Sequence, residues 1–149
     1  MGTPAVRPRG VPPAAGPIAV ARVLALVPDL LFGSRLQGAL RATGDELELV
    51  ADGARVVELL SAGEPRPPEV LIVDLTDGEL NGAGLVETLA GRGALARTRT
   101  LGFYSHVDVA TRGRAERAGF DLVVPRSRMA REAGELVARL AGAAAPALD

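Results

Sequence analysis

Val70 to Val73 are four consecutive branched apolar residues, and Asp74 and Leu75 follow them directly. No polar residue falls at alternate positions in this run, so a strand built from it has no side that faces solvent. A strand covered on both faces calls for helices above and below it, the arrangement of a parallel α/β sheet. The run also carries one carboxylate, Asp74, to the strand's carboxyl end.

The rest of the chain supplies the cover. Short apolar runs alternate five times with amphipathic stretches. The pattern predicts a first strand over Ala19 to Val27 and a first helix from about Leu30 to Ala42, with Phe32, Leu36, Ala39 and Leu40 on one face. A second strand spans Glu46 to Val50, where acids alternate with Leu47 and Leu49 as on a sheet edge. The second helix starts after Asp52, an N-cap candidate, and stops at Gly63, ahead of a proline-rich turn over Glu64 to Pro68. Strand three is Val70 to Leu75, and a loop follows from Thr76 to Gly84. Helix three carries Leu85, Val86 and Leu89 and breaks around Gly91 and Gly93. Strand four is Thr100 to Tyr104, helix four Asp108 to Ala118 and strand five Leu122 to Val124. Helix five runs from Ser127, its expected cap, to Ala141, with Met129, Ala133, Leu136, Val137 and Leu140 as the buried stripe. Right-handed crossovers then give a doubly wound five-stranded parallel sheet of flavodoxin-like order 2-1-3-4-5, with helices on both faces. The expected domain is 19–142. Residues 1–18, rich in proline and glycine, read as a disordered tail, and 143–149 as a frayed one.

In a sheet of this order, ligand chemistry belongs outside the carboxyl ends of strands one and three, where Asp74 lies. Composition narrows what that chemistry is. The chain has no cysteine and one histidine, His106, which removes thiol chemistry and most zinc and haem sites. No nucleophile and base can be paired for an enzyme, and no dinucleotide or phosphate-loop motif is complete. A net charge of −1 argues against a nucleic-acid partner. No apolar stretch reaches the roughly 18 residues of a spanning helix, so a membrane is not expected and the location reads as cytoplasmic.

With the elements placed, the stretch from Ala21 to Leu140 resembles the receiver domain of bacterial response regulators. The matching pieces are Arg22 to Val27, Val70 to Leu75, Thr100 to Ser105, and Ala118 to Pro125. The resemblance implies that Asp74 stands at the phosphoacceptor position and Ser105 at that of the switch hydroxyl. Receivers also carry an acid pair after strand one that holds Mg²⁺, a Lys-Pro after strand five, and an aromatic switch residue on strand five. This chain has Val27-Pro28 followed by Asp29, then Pro125-Arg126, and Leu122 in place of the aromatic. All 17 basic residues are arginine. Phosphoryl transfer depends on cations that neutralise the equatorial oxygens. The expectation is therefore an atypical receiver-like signalling domain that acts by protein–protein interaction, with no cofactor and without standard Mg²⁺-dependent phosphorylation.

Two other readings stay open. One is a phosphorelay receiver phosphorylated on Asp74 by a histidine kinase, with Arg126 or Asp29 compensating for lost groups. The other is a small-molecule or anion sensor that uses the crevice at the strand carboxyl ends, seated toward the arginine-rich edge of helix four. Structural roles compete at each position: Asp74 as a loop cap, Asp29 as the cap of helix one, Ser105 bonding a backbone group, Arg126 as a solvated side chain, and His106 as a loop residue. Charge is segregated along the chain. Residues 43–91 hold 11 acids and two arginines, a balance of −9, and residues 92–131 hold nine arginines and three acids, a balance of +6. Arg112, Arg114, Arg117, Arg128 and Arg131 fall on helices four and five. With the resemblance, they point to a protein partner or homodimer on the helix four, strand five and helix five face.

Overall fold

The structure, a computed structural model, describes residues 20–61, 66–105 and 108–144. Most of the two expected tails, part of the proline-rich turn, and His106 lie outside these residues. The elements in chain order are β1 (Arg22–Leu26), α1 (Leu30–Ala42), β2 (Glu46–Val50), α2 (Gly53–Ser61) and β3 (Val70–Asp74). They continue with a short 3₁₀ turn (Gly78–Leu80), α3 (Gly82–Gly91), β4 (Arg99–Tyr104), α4 (Val109–Ala118), β5 (Leu122–Pro125) and α5 (Arg126–Ala144).

All four strand pairings are parallel, in the order β2-β1-β3-β4-β5 expected from the sequence. Every residue of β3 is buried, as an unbroken apolar run requires. Its side chains alternate between two cores. Val70 and Ile72 join Phe32, Leu36, Phe103, Met129 and Leu136 in the layer covered by α1 and α5. Leu71 and Val73 join Val56, Val86, Leu89 and Ala115 under α2, α3 and α4. Each fully buried aliphatic side chain contributes about 1.5–3 kcal/mol, so β3, which adds apolar side chains to both layers, anchors the fold. The stripe expected on α5 is buried at all five positions.

Gly102 shows how tightly one layer closes. A Cβ there would stand 2.7 Å from Leu75 Cδ1 and 3.0 Å from the Phe120 ring, so the missing side chain makes room for both. Gly119 ends α4 in the left-handed region (φ 105°), where only glycine is unstrained.

Three boundaries differ from expectation. Helix α3 starts at Gly82, inside the expected loop, because Asn81 adopts a left-handed conformation (φ 48°) and its side chain accepts from Gly84 N at 3.3 Å. Helix α5 starts at Arg126, directly after Pro125, so Ser127 lies in its first turn and does not cap it. It also continues to Ala144, past the expected end, with a kink at Glu132. Asp52 does cap α2, accepting from Arg55 N at 3.0 Å. Among the described residues no helix is long and apolar enough to cross a membrane.

Candidate functional site

Thr76 after β3, Ser105 after β4, Phe32 and Arg35 of α1, and Arg126, Ser127 and Ala130 of α5 surround one crevice of about 330 Å³. On the β1 side, Val27 is buried, Pro28 is half-buried, and Asp29 starts α1. Asp29 has the extended backbone of an N-cap, and its Oδ1 accepts from Leu31 N (3.0 Å) and Phe32 N (3.1 Å). Its Oδ2 accepts from Arg126 at 3.2 Å. The Phe32 amide, then the Leu31 amide and the Arg126 charge, hold the Asp29 carboxyl below its ordinary value.

The helix started by Asp29 turns Phe32 inward, where its ring centroid lies 4.8 Å from that of Phe103. The Arg126 guanidinium lies over the other part of this aromatic floor, 4.4 Å from the Phe32 centroid. Arg126 thus makes two contacts, with a carboxylate and a ring face, and it joins the β1–α1 turn to the start of α5. Its side chain is nonetheless 44% exposed, so the solvated surface role weighed in the sequence holds alongside these two contacts.

Asp74 is not in a shallow crevice, as the strand-end position suggested. It is 4% exposed and accepts through Oδ1 from Thr76 N (2.8 Å) and Thr76 Oγ1 (2.6 Å). This is the loop-cap role, an Asx-type turn at the end of β3. Thr76 lines the crevice, and Asp74 is not among the lining residues. Ser105 is half-buried and lines the crevice. Its carbonyl accepts from Asp108 N at 2.8 Å, while its hydroxyl makes no bond among the described residues. Leu122 is half-buried and packs against the α1/α5 core.

The carboxylates at the carboxyl ends of the strands are engaged within the chain. Asp29 Oδ1 is committed to two amides and Oδ2 to Arg126, and Asp74 Oδ1 is committed to Thr76. Among the described residues no three carboxylate or imidazole side chains converge as a metal would require.

The arginines of the α4/α5 region are more self-contained than the charge count suggested. Arg112 pairs with Glu116 (3.2 Å), Arg128 with Glu132 (3.1 Å), and Arg131 with Glu132 (3.4 Å). Arg114 reaches across to α3 and grips Glu87 through both terminal nitrogens, at 2.8 and 3.1 Å. That fork holds the Glu87 carboxyl below its ordinary value, and Arg128 does the same for Glu132. Arg117 has no ion pair among the described residues. Part of the expected separation of charge is therefore cancelled locally, α4 against α3.

Sequence reasoning missed Arg35, Thr76 and the lining role of Ser127. Arg35 stands three residues after Phe32, the helical spacing that brings two side chains to one patch. Thr76, two residues after Asp74, has the spacing of an Asx turn.

Solved structures with this fold are numerous. A putative response regulator from Chloroflexus aurantiacus superposes with a TM-score of 0.73 at 17% identity, covering 83% of this chain and 99% of that one. The receiver domain of a signal transduction histidine kinase from Syntrophus aciditrophicus gives 0.72 at 22% identity, over 83% and 92%. The receiver domain of the putative response regulator NarL from Mycobacterium tuberculosis gives 0.69 at 22% identity, over 83% and 97%. No family model matches the sequence, and no curated protein matches it either. The chain has the receiver fold along nearly all of its described length, and at these identities the likeness is one of architecture.

Proposed function

We propose that this chain is a receiver-like signalling domain that acts by binding a protein partner and does not run a Mg²⁺-dependent aspartyl-phosphate cycle on Asp74. The observation that carries this reading is the Arg126–Asp29 pair. Asp29, the acid that follows β1, bonds Arg126 and two helix amides, so a metal would have to compete with all three for its carboxylate. Asp74 is buried beneath its bond to Thr76, away from an incoming phosphodonor. A positioned metal supplies much of the catalysis in phosphoryl transfer to a carboxylate, and the acid pair that would hold one is replaced here by Val27 and Pro28.

The partner surface we assign to α4, β5 and α5. Arg117 leaves its charge open there, and Val109 at the start of α4 is 73% exposed. Complementary charge on a partner would orient docking more than strengthen it. A second copy of the chain is the simplest alternative occupant.

The test is incubation with acetyl phosphate and Mg²⁺ followed by intact-mass measurement. Unchanged mass is the expected result. A stoichiometric gain of one phosphate, lost in Asp74→Asn, would replace this reading with the phosphorelay one.

A further inference from the structure

Four side chains that line the crevice carry hydrogen-bond donors that no described residue accepts. Arg35 lines it and makes no ion pair among the described residues. Arg126 gives one terminal nitrogen to Asp29, and its remaining N–H groups have no protein acceptor among those residues. The hydroxyls of Ser105 and Ser127 are likewise unbonded there, and both line the same space. The Thr76 hydroxyl is different, because its proton is spent on Asp74. No carboxylate is among the described lining residues.

We propose that this crevice is a non-covalent site for a tetrahedral oxyanion, inorganic phosphate or a phosphate monoester, held between Arg35 and Arg126 with Ser105 and Ser127 as neutral donors. Two guanidinium groups suit such a group because each can fork onto two of its oxygens. The Phe32 ring and Asp29 orient Arg126, although its side chain is 44% exposed, and this lowers the cost of ordering it on binding. The two nearby carboxylates oppose an anion only partly. Asp29 directs one oxygen to helix amides and the other to Arg126, and Asp74 lies beneath Thr76. The volume, about 330 Å³, is at the small end of the range for ligand sites, which matches a phosphate or compact monoester and not a dinucleotide. The site needs no bond to Asp74 and does not rest on the signalling reading.

The test is an amide NMR titration of the full chain at constant ionic strength, with sodium phosphate in one arm, phenyl phosphate in a second and sodium chloride in a third. The expected result is saturable shifts at Arg35, Ser105, Arg126 and Ser127 in the first or second arm only. The tighter of those two arms tells free phosphate from a monoester. Arg35→Gln and Arg126→Gln should each weaken the response at least about tenfold, the equivalent of one charge-assisted hydrogen bond. Arg126→Lys should fall between, since it keeps the charge and loses the fork. Three results would overturn the proposal: no saturable shift in the unaltered chain, shifts mapping to α4 instead, or the same affinity in both glutamine variants with their spectra still dispersed. A covalent mass gain accompanying the shifts would also overturn it.

Discussion

At the amino ends of the strands, Asp45, Glu69 and Asp121 each stand one residue before a strand and accept from a backbone amide at, or within one residue of, the start of the strand beside it. Asp45 takes Ala21 N at 3.2 Å, Glu69 takes Arg22 N at 3.0 Å, and Asp121 takes Thr100 N at 2.7 Å. At the carboxyl ends, Asp29 and Asp74 hold turn amides too, but around them Arg35, Ser105 and Ser127 keep donors that no described residue accepts. Carboxylates at one end are spent on register. Polar groups at the other retain capacity, and a ligand or partner is bound with capacity of that kind. The difference separates what folds the sheet from what the sheet presents.

The strongest way to sharpen this contrast is Asp121→Ala. Thr100 is 1% exposed, and its amide and hydroxyl both donate to Asp121 Oδ2. Removing the acceptor strands two buried donors, with a loss of about 2–3 kcal/mol in urea unfolding. Asp121→Asn, which keeps an acceptor oxygen, should recover more than half of it. Arg35→Gln in the crevice should change stability by less than about 0.5 kcal/mol, as for a surface side chain without partners. Equal losses at the two ends would break the comparison.

A smaller effect is expected where the two kinds of role meet. Thr76→Val deletes the hydroxyl that donates to Asp74 at 2.6 Å but leaves the Thr76 amide bond in place. A destabilisation of about 1 kcal/mol should follow, one hydrogen bond's worth, and Thr76→Ser should restore it. If Thr76→Val proves neutral while exposing Asp74 to acetyl phosphate, the hydroxyl is shielding the carboxylate and not supporting the turn.

The sheet order was legible because its cause is local. An apolar run without alternation in β3, acids alternating with leucines in β2, and helical stripes between them each report burial directly. The caps at Asp29 and Asp52 were legible for the same reason, since the residue bonds its own neighbours. What sequence could not give was pairing across distance. Arg126 and Asp29 are 97 residues apart, and Arg114 and Glu87 are 27 apart. Only the packed sheet brings α5 beside the β1–α1 turn, and only then does Arg126 become part of a site. The clamp formed by Asp121 was hidden in the same way: a single acid before a strand reads as a turn residue until its neighbour strand is known.

The subtlest expected effect is in acid. The Asp29 carboxyl is held below its ordinary value mainly by the Phe32 amide, with the Leu31 amide and Arg126 adding to it. A carboxyl depressed on folding releases its proton more readily in the native state, so the stability it contributes is fully present above the ordinary carboxylate range of about 4. That contribution is lost as pH falls from there through the depressed value. Glu87, Asp108 and Glu132 act in the same direction through Arg114, Thr111 and Arg128. Melting temperature should therefore be flat from pH 7 to about 5 and then fall, with no matching loss on the alkaline side. Asp29→Asn isolates the share of Asp29. Asparagine keeps the oxygen that caps α1 but has no charge for Arg126 and no proton to take up. The variant should melt close to the unaltered chain in acid and slightly below it at neutral pH, so the two curves converge as pH drops. Parallel curves would mean that the Asp29 carboxyl is not depressed on folding, by the helix amides or by Arg126.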